Sequence, residues 1–441
     1  MKKRVLAVLL ASMMVIGMPG CASADSAEQG SGGETKESSG TGADDTYTVW
    51  AWDANVEAIQ EAANRYNEAT GGNIKLDVVT VVNEDSRNKL VTIGGSEDWD
   101  SLPDFLLMED TAVAQFVTSY PGMLADLTDY DIPWEELVES KKSLYTVGGK
   151  HYALPMDSGA SIAMYRTDYL EEAGYTLDDL TNVTWDEVIK IGADVYDRTG
   201  HYLLLDDATS YFVPKQIYTS SGGQFFDKDG NADIDNDIMK MTLEITKELV
   251  DSNTMYIAGS WDEYNSCLNE GTGGGVVNGM WINGNISNAP DQKGVWAVTD
   301  MPALNIDGAT HMTNSGGASW VITRHAGENT EELADFLSYE LCGDGAQDYW
   351  DYLADFAGYL TTYKPVLNSE LYRNVDNDYF GETFFSDVAE LVDGAPALNS
   401  SPYYMDAQDA LINAVVNVVN GSDIDTEMQD AQSNLEFAMS N

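Results

Sequence analysis

The chain has 441 residues, of which 74 are acidic and 22 are basic, so its formal charge at pH 7 is −52. This charge disfavours binding to nucleic acid and to anionic ligands, and a uniformly acidic, soluble surface is enough to explain it. Hydrophobic residues make up 43% of the chain and aromatic residues 10%. A chain of this length and composition exceeds what one core holds, so we expect two domains or lobes.

The N-terminus predicts a secretory signal. Lys2, Lys3 and Arg4 precede an unbroken apolar run from Val5 to Met18. As a helix this run would span roughly 21 Å, which is short of the ~30 Å hydrocarbon core of a membrane. Residues 1–20 are therefore predicted to be a signal peptide.

A cysteine follows this signal in the segment V-I-G-M-P-G-C. Gly20 before Cys21 resembles the lipobox of bacterial lipoproteins, in which cleavage precedes a cysteine that carries lipid. Met18 and Pro19 depart from the usual leucine and small residue, so an ordinary signal with a chance cysteine is the alternative. Residues 21–45 are almost wholly Ser, Gly, Ala, Thr and acidic residues, which cannot bury enough surface to fold. We expect a lipidated Cys21 and a disordered tether.

The chain after residue 45 predicts alternating strands and helices. The β-rich segment Y-T-V-W-A-W-D from Tyr47 precedes a helical pattern from Asn55 that stops at Gly71, and the β-branched N-I-K-L-D-V-V-T-V-V follows. A second unit joins a buried strand, 102–108, to a helix over about 111–119. This alternation predicts an α/β fold with mostly parallel sheets covered by helices.

Aromatic and acidic side chains follow two of these strands. Trp50, Trp52 and Asp53 close the first strand, and Glu109 and Asp110 close another. Ligands of parallel sheets bind beyond the carboxyl ends of the strands. We therefore expect these five side chains to converge at the mouth of a binding site.

The remaining cysteines and the histidines do not indicate a metal site or a cofactor. Cys267 and Cys342 could form a disulfide in an extracellular protein. Free buried thiols are favoured, because the two cysteines fall in helical patterns assigned below to different lobes. The four histidines are scattered, without the spacing of a zinc site.

The acidic segment F-D-K-D-G-N-A-D-I-D-N-D from Phe226 looks like a calcium loop. Counted from Asp227, however, the glycine stands at position four and Ile238 at position twelve, whereas an EF-hand requires glycine at six and glutamate at twelve. We predict a hairpin that turns at Asp229-Gly230 or Gly230-Asn231.

Several segments, in order along the chain, resemble the extracellular sugar-binding proteins of ABC transporters. The run G-G-K-H-Y-A-L-P-M-D-S from Gly148 resembles the family strand that crosses between lobes, although Arg166-Thr167-Asp168 replaces the usual Asn-Lys-Asp. Further matches are T-W-D-E-V from Thr184, S-G-G-Q-F-F-D from Ser221, N-E-G-T-G-G-G-V-V-N-G-M-W from Asn269, G-V-W-A-V-T-D-M-P-A-L from Gly294 and S-G-G-A-S-W-V-I from Ser315. Each match is weak alone, since T-W-D-E is also a capping box with Thr184 as the N-cap and Glu187 at N3. Their order over nearly the whole mature chain carries the resemblance.

The resemblance implies a two-lobed, class II periplasmic-binding-protein-like fold, with a mostly parallel sheet in each lobe, that closes on a sugar by a hinge motion. It implies chain crossings near Pro155, Pro302 and Gly343. The implied segments are 46–155 and 301–345 in lobe 1, and 156–300 and 346–441 in lobe 2.

A sugar site needs aromatic faces for the C–H surfaces of the ring and polar groups for its hydroxyls. Trp281, in N-G-M-W, matches the position where relatives present an aromatic ring, and a core tryptophan beside Gly279 is the alternative. Trp52 and Asp53 are the next candidates for ligand binding, and simple packing at the end of the strand is the alternative for them. Glu109, Asp110 and Asp157 are candidate hydroxyl acceptors or helix caps. Gly316 and Gly317 could let the backbone approach a ligand or form a tight turn. The remaining candidate ligand contacts are Trp320, which follows these glycines, and Phe212 and Tyr404, which the resemblance implies.

We therefore expect a monomeric lipoprotein, anchored by lipid at the extracellular face of the bacterial cytoplasmic membrane. It binds an uncharged mono- or oligosaccharide and delivers it to the permease of an ABC transporter, without catalysis, cofactor or nucleic acid. The alternatives are a binding protein for a polyol or peptide, an anchored glycoside hydrolase with paired carboxylates, and a purely adhesive surface protein. The hydrolase gains no support from a G-x-S-x-G, zinc or Walker A motif.

Overall fold

The computed structural model describes residues 46–375, 377–381, 384–392 and 401–440. The predicted signal peptide, Cys21 and the tether up to residue 45 lie outside the described residues. Across the described ranges, no helix combines the length and the apolar character that spanning a membrane requires.

Twelve strands are assigned within the described ranges. They are β1 Thr46–Ala51, β2 Lys75–Thr80, β3 Phe105–Glu109, β4 Thr146–Val147, β5 Lys150–His151, β6 Leu154–Pro155, β7 Ser161–Arg166, β8 Leu204–Asp207, β9 Met255–Ala258, β10 Gly275–Gly279, β11 Trp296–Thr299 and β12 Ala318–Ile322.

The α-helices in the same ranges alternate with the strands and then dominate the C-terminal part. They are α1 Asn55–Thr70, α2 Asn83–Ser96, α3 Asp110–Ser119, α4 Glu139–Lys142, α5 Thr167–Ala173, α6 Trp185–Thr199, α7 Phe212–Ser220, α8 Asp237–Asp251, α9 Trp261–Glu270, α10 Asn283–Ile286, α11 Thr330–Cys342, α12 Ala346–Ala357, α13 Lys364–Leu367, α14 Glu370–Arg373, α15 Phe384–Val392, α16 Tyr404–Val419 and α17 Ile424–Met439.

A five-stranded sheet in the order β2-β1-β3-β12-β6 is the centre of the part that we call lobe 1. The predicted strand–helix–strand start is confirmed: β1 pairs in parallel with β2 and β3, and α1 buries Ala58, Ile59 and Ala62 beneath them. The helix ends where Gly71 adopts a left-handed φ of 74°, which glycine tolerates without steric cost.

Lobe 2 is built on a three-stranded sheet, β10-β7-β11, and on the parallel pair β8-β9. The predicted capping box begins α6: Glu187 accepts hydrogen bonds from the backbone N–H and hydroxyl of Thr184. The helix buries Trp185, Val188 and Val195. Another cluster joins α8, α16 and α17 around side chains that include Leu243, Leu411 and Leu435.

The α/β fold is confirmed, but the sheets are mixed rather than mostly parallel. β12 runs antiparallel to both β3 and β6, and β7 runs antiparallel to both β10 and β11. The reason is that β12 and β7 follow segments that cross between the lobes, whereas parallel neighbours such as β1 and β2 are joined by a helix.

The first crossing lies between β6, which ends at Pro155 in lobe 1, and β7, which starts at Ser161 in lobe 2. The second crossing comes later than Pro302, because Ala303 still forms a parallel bridge with Thr184 of lobe 2. It occupies residues 313–317, which run beside residues 156–160 and donate the Ser315 N–H to the Gly159 carbonyl at 2.7 Å.

The third crossing also differs from its prediction near Gly343. Helix α12 stays with lobe 1, because the Tyr349 hydroxyl donates to the Ala58 carbonyl of α1 at 2.9 Å. The chain is in lobe 2 by Tyr379, whose carbonyl accepts from the Gly294 N–H at 3.1 Å. The other predicted lobe boundaries remain predictions.

Two smaller predictions are also resolved. Cys267 in α9 and Cys342 in α11 are free, buried thiols. An antiparallel bridge between Phe226 and Ala232 closes the predicted hairpin, and Gly230 takes a φ of 83° in its turn. Asp227 Oδ1 accepts bonds from the Asp229 and Asn231 N–H groups, and Oδ2 accepts from the side-chain amide of Asn231, so both oxygens are engaged by their own loop.

Candidate functional site

Trp281 stands where the two lobes join. It lies in a short 3-10 turn, Met280–Ile282, directly after β10, and its half-buried ring is 5.5 Å from Phe212 and 5.9 Å from Trp261. Its indole N–H donates to the Ser315 carbonyl of the second crossing segment at 2.9 Å. The indole edge is therefore held by the second crossing segment. The rings of Trp281, Phe212 and Trp261 are only partly buried, so this aromatic group keeps exposed surface.

Phe212 is placed by the acidic end of β8. The Phe212 N–H donates to Asp206 Oδ1 at 2.9 Å, and the Val213 N–H donates to Oδ2 at 3.3 Å. Tyr211, just before the helix, has a left-handed φ of 44°, which is costly for a residue with a side chain. Burial raises the pKa of Asp206 to about 7, and its backbone hydrogen bonds oppose that shift.

On the lobe 1 side, a buried ionic cluster supports the site. Lys141 in α4 is only 1% exposed, and its ammonium pairs with the fully buried Asp110 and with Asp157 at 3.3 Å. The Ser319 hydroxyl donates to Asp110 as well. Burial raises the pKa of Asp110 to about 6, although the positive charge of Lys141 and the bond from Ser319 act in the opposite direction.

Gly317 leaves the space that this ionic cluster occupies. Its φ is 102°, and a Cβ at this position would collide with the Lys141 ammonium and with the carboxylates of Asp110 and Asp157. The prediction was that this glycine lets the backbone approach a ligand. In the structure, the group that closely approaches the Gly317 backbone is the Lys141 ammonium. We therefore assign Gly317 to the support of the site.

Asp157 is the member of this cluster that reaches solvent, with 13% of its side chain exposed. Its Oδ1 accepts the Ala318 N–H at 2.8 Å in addition to the contact with Lys141. No hydrogen bond from the described part of the chain reaches Oδ2. One carboxylate oxygen is thus held in place while the other is available to a ligand.

Asp53 and Asp157 both lie close enough to Tyr359 to act on it. Both carboxylates act electrostatically on Tyr359 and raise its pKa, after the larger effect of burial. Trp52 is half-buried, and Asp53 turns the chain with a φ of 50°. The Asp53 side chain is exposed at the surface, yet partial desolvation by its neighbours raises its pKa.

Three aromatic predictions do not reach the site. Trp320 is wholly buried, with its N–H directed at Met156 Sδ and its ring against Phe105. Tyr404 is packed against Phe225 in the core of lobe 2, and Trp50 lies on the other side of the sheet under the Lys89 ammonium. Trp320 and Tyr404 are therefore removed from the candidate ligand contacts.

Glu109 lies where lobe 1 meets lobe 2. The Thr111 hydroxyl of α3 contacts Met405 Sδ of α16 at 3.7 Å. Glu109 precedes this helix and lies 3.6 Å from the Arg87 guanidinium. The sequence prediction missed Lys141 and Trp261, since neither stands in a motif.

Two surface concavities lie apart from these residues. The larger, of about 760 Å³, is lined by residues between Gly222 and Ile238, including the acidic hairpin, and the other lies between α16 and α17. Neither contains a cluster of partly exposed aromatic rings. We place the site at the lobe junction, because residues 315–318 there bind both Trp281 of the aromatic group and Asp157.

Comparisons with known proteins give consistent matches. A family model described as bacterial extracellular solute-binding protein matches residues 52–341. A lactose-binding protein of Rhizobium radiobacter is 32% identical over 381 residues, covering 86% of this chain and 89% of its own. An arabinooligosaccharide-binding protein of Bacillus subtilis (strain 168) is 25% identical over 403 residues, covering 88% and 89%.

Solved structures share the fold. MalE3 of T. maritima with maltose bound superposes with a TM-score of 0.73 at 18% identity, over 89% of this chain and 99% of that one. A binding protein of B. animalis subsp. lactis Bl-04 in complex with beta-1,6-galactobiose gives 0.71 at 22% identity, over 88% and 96%. These likenesses establish the two-lobed architecture.

Proposed function

This chain belongs to the bacterial extracellular solute-binding protein family, and from that premise we propose that it binds an uncharged mono- or oligosaccharide between its lobes. We further propose that it hands the ligand to the permease of an ABC transporter. The observation that carries the proposal is that residues 315–318 bind both parts of the site: the Ser315 carbonyl accepts from Trp281, which packs with Phe212 and Trp261, and the Ala318 N–H donates to Asp157.

The chemistry of these groups suits a sugar. A pyranose or furanose presents C–H faces, which stack on aromatic rings, and hydroxyls, which need acceptors once they are buried. Trp281 and Phe212 supply the apolar surface. Asp157 Oδ2 supplies an acceptor whose position is set by the Ala318 N–H and Lys141.

The relatives support a neutral saccharide in particular. Two relatives in sequence are described as a lactose-binding protein and an arabinooligosaccharide-binding protein, and these sugars carry no charge. The net charge of −52 gives the same preference, because an anionic ligand would be repelled on approach. We propose no catalytic activity for the site.

The proposal extends to the cell surface. Cys21 carries the lipid, and residues 21–45 are the tether that lets the folded part move near the membrane and its permease. A Cys21→Ser variant should appear in the culture medium, while the unmodified protein stays with the membrane fraction. Equal release of both proteins would show that the cysteine is not the anchor.

Ligand binding is tested by a thermal-shift screen of the folded part against lactose, maltose and arabinotriose, followed by calorimetry. A ligand that binds only the native state at 100 times its Kd stabilises the protein by about 2.7 kcal/mol, so the thermal midpoint should rise clearly. If no sugar raises the midpoint but a polyol or peptide does, the alternative ligand class is correct. Sustained release of monosaccharide from lactose would indicate a hydrolase.

A further inference from the structure

The second crossing segment changes lobes over a short interval. At its start it is held by lobe 2, because the Ser161 N–H of β7 donates to the Thr313 carbonyl at 2.9 Å. Just after its end it is held by lobe 1. The Ala318 N–H donates to Asp157 at 2.8 Å, and the Ala318 carbonyl accepts from the Met156 N–H at 2.8 Å. The change of lobe therefore falls between Thr313 and Ala318.

Ser315 lies in this interval, and all three of its polar groups are bound. Its N–H donates to the Gly159 carbonyl at 2.7 Å, its carbonyl accepts the Trp281 indole N–H at 2.9 Å, and its hydroxyl donates to Asn278 Oδ1 at 3.4 Å. Asn278 belongs to β10, and Trp281 belongs to the turn that follows β10. Buried Ser315 is thus attached to lobe 2 beside the aromatic group.

Two glycines follow Ser315 and differ in their freedom to turn. Gly316 and Gly317 have φ values of 74° and 102°, which glycine adopts without steric cost. Among the described residues, a Cβ added to Gly316 would have one neighbour within 4 Å, the Trp281 indole nitrogen at 3.7 Å. A Cβ on Gly317 would collide with the ionic cluster of lobe 1. The bend between the lobes therefore falls at Gly316, directly after Ser315.

The first crossing segment touches the second at the same level. Gly159 has a φ of 57°, and a Cβ on it would lie 2.3 Å from the Gly316 carbonyl oxygen and 2.5 Å from Asn314 Oδ1. The two backbones are therefore in contact without space for a side chain. Movement of one lobe relative to the other acts on this contact, and the bond from the Ser315 N–H to Gly159 brings Ser315 into it.

We propose that Ser315 is a positioning residue, which couples the orientation of the Trp281 ring to the closure of the lobes. Its carbonyl holds the indole edge, its hydroxyl fastens the crossing segment to β10, and Gly316 takes up the rotation. Trp281 therefore keeps one orientation while the lobes close. The inference rests on the proposed function and adds to it the group that presents the ring to the sugar.

The physical effect is preorganisation. An indole that is already held at its edge loses little side-chain freedom when a sugar stacks on its face. Removing the Ser315 hydroxyl loosens the crossing segment, so the affinity for sugar should fall by about 3- to 10-fold, as for one neutral hydrogen bond. Because this effect acts through the Trp281 N–H, it should vanish in a variant that lacks this N–H.

The test combines Ser315→Ala with Trp281→Phe, which keeps an aromatic ring and removes the N–H. Lactose, maltose and β-1,6-galactobiose are titrated into the wild type by calorimetry, and the tightest-binding sugar is used throughout. Ser315→Ala should lose affinity in the wild-type background and lose none in the Trp281→Phe background. Ser315→Thr, which keeps the hydroxyl, should bind like the wild type. Unchanged affinity of Ser315→Ala, or equal losses in both backgrounds, would overturn the inference.

Lobe closure is the second measurement, and it decides the question if Trp281→Phe binds too weakly to be titrated. Small-angle X-ray scattering should show a smaller radius of gyration with sugar for the wild type, and no such decrease for Gly159→Ala, whose Cβ forces the crossing segments apart. Gly148→Ala is the matched control, since its φ of 61° is similar and no described atom lies within 4 Å of its Cβ. It should close like the wild type.

Normal closure of Gly159→Ala would overturn the inference, while sugar binding by the wild type keeps the proposed function. If none of the sugars binds the wild type, the proposed function fails, and this inference fails with it. If Gly159→Ala does not fold, closure is measured on Ser315→Ala at saturating sugar. It should then show a smaller decrease in the radius of gyration than Ser315→Thr, and equal decreases would overturn the inference.

Discussion

Replacing Lys141 by methionine tests how much the fold depends on the buried ionic cluster. Methionine keeps most of the volume of the side chain and removes its charge. Asp110 then loses its ion pair in a fully buried position, while Asp157 keeps the Ala318 N–H and a small exposed surface. The uncompensated charge is therefore mainly that of Asp110.

The expected loss follows from this arrangement. Removing one partner of a buried ion pair costs about 3–5 kcal/mol, because the other charge is left without compensation. A domain has only about 5–15 kcal/mol of stability, so Lys141→Met should be marginally stable at pH 7.5. The loss should be smaller at pH 5.5, where Asp110, whose pKa is about 6, is already largely protonated in the wild type.

Urea unfolding of the wild type and Lys141→Met at both pH values measures this difference. The double variant Lys141→Met, Asp110→Asn should recover part of the loss, because the buried charge leaves together with its partner. A loss below about 1 kcal/mol, or an equal loss at both pH values, would refute the reasoning that Lys141 compensates a buried carboxylate.

Three further outcomes are expected. Trp281→Ala should weaken sugar binding by about 2–4 kcal/mol when the affinity is measured by calorimetry. The control variant Trp99→Ala, which lies outside the site, should bind like the wild type. Equal affinity of the two variants would remove Trp281 from the site. Gly317→Ala should lower the free energy of unfolding by more than about 1 kcal/mol in urea titrations, since its φ of 102° strains alanine; an unchanged midpoint would argue against the tight fit. Burial raises the pKa of Asp110 to about 6 and of Asp206 to about 7, above the ~3.9 of an unfolded aspartate, so the folded chain binds more protons over that window. The thermal midpoint should therefore rise as the pH falls from about 8 to about 5, and a steady fall would contradict these assignments.

Local sequence patterns predicted the elements whose cause is local. The capping box of Thr184 and Glu187, the helix stop at Gly71 and the hairpin after Phe226 each depend on a few neighbouring residues. Trp320 shows where this reasoning fails. Its strand, A-S-W-V-I, is buried at every position, so no alternation could indicate which side chains face a ligand.

The supporting residues of the site had no local signal. Lys141 stands in E-S-K-K-S, a composition typical of an exposed turn, and its burial depends on Asp110 and Asp157, which reach it from other elements. The segment at residues 301–304 precedes a lobe 1 strand, yet it stays in lobe 2, because the Trp185 N–H donates to the Ala303 carbonyl at 3.1 Å. Both features arise from long-range contacts, which one sequence does not reveal.

The C-terminal helix pair imposes an order on folding. Leu411 and Leu435 complete the core around Leu243, and the Gln432 side chain accepts the Ile234 N–H at 2.9 Å. Nearly two hundred residues separate these partners, so lobe 2 cannot finish its core until the last segment of the chain has been synthesised. A nascent chain of this kind leaves the apolar side chains of α8 uncovered until α16 and α17 are complete.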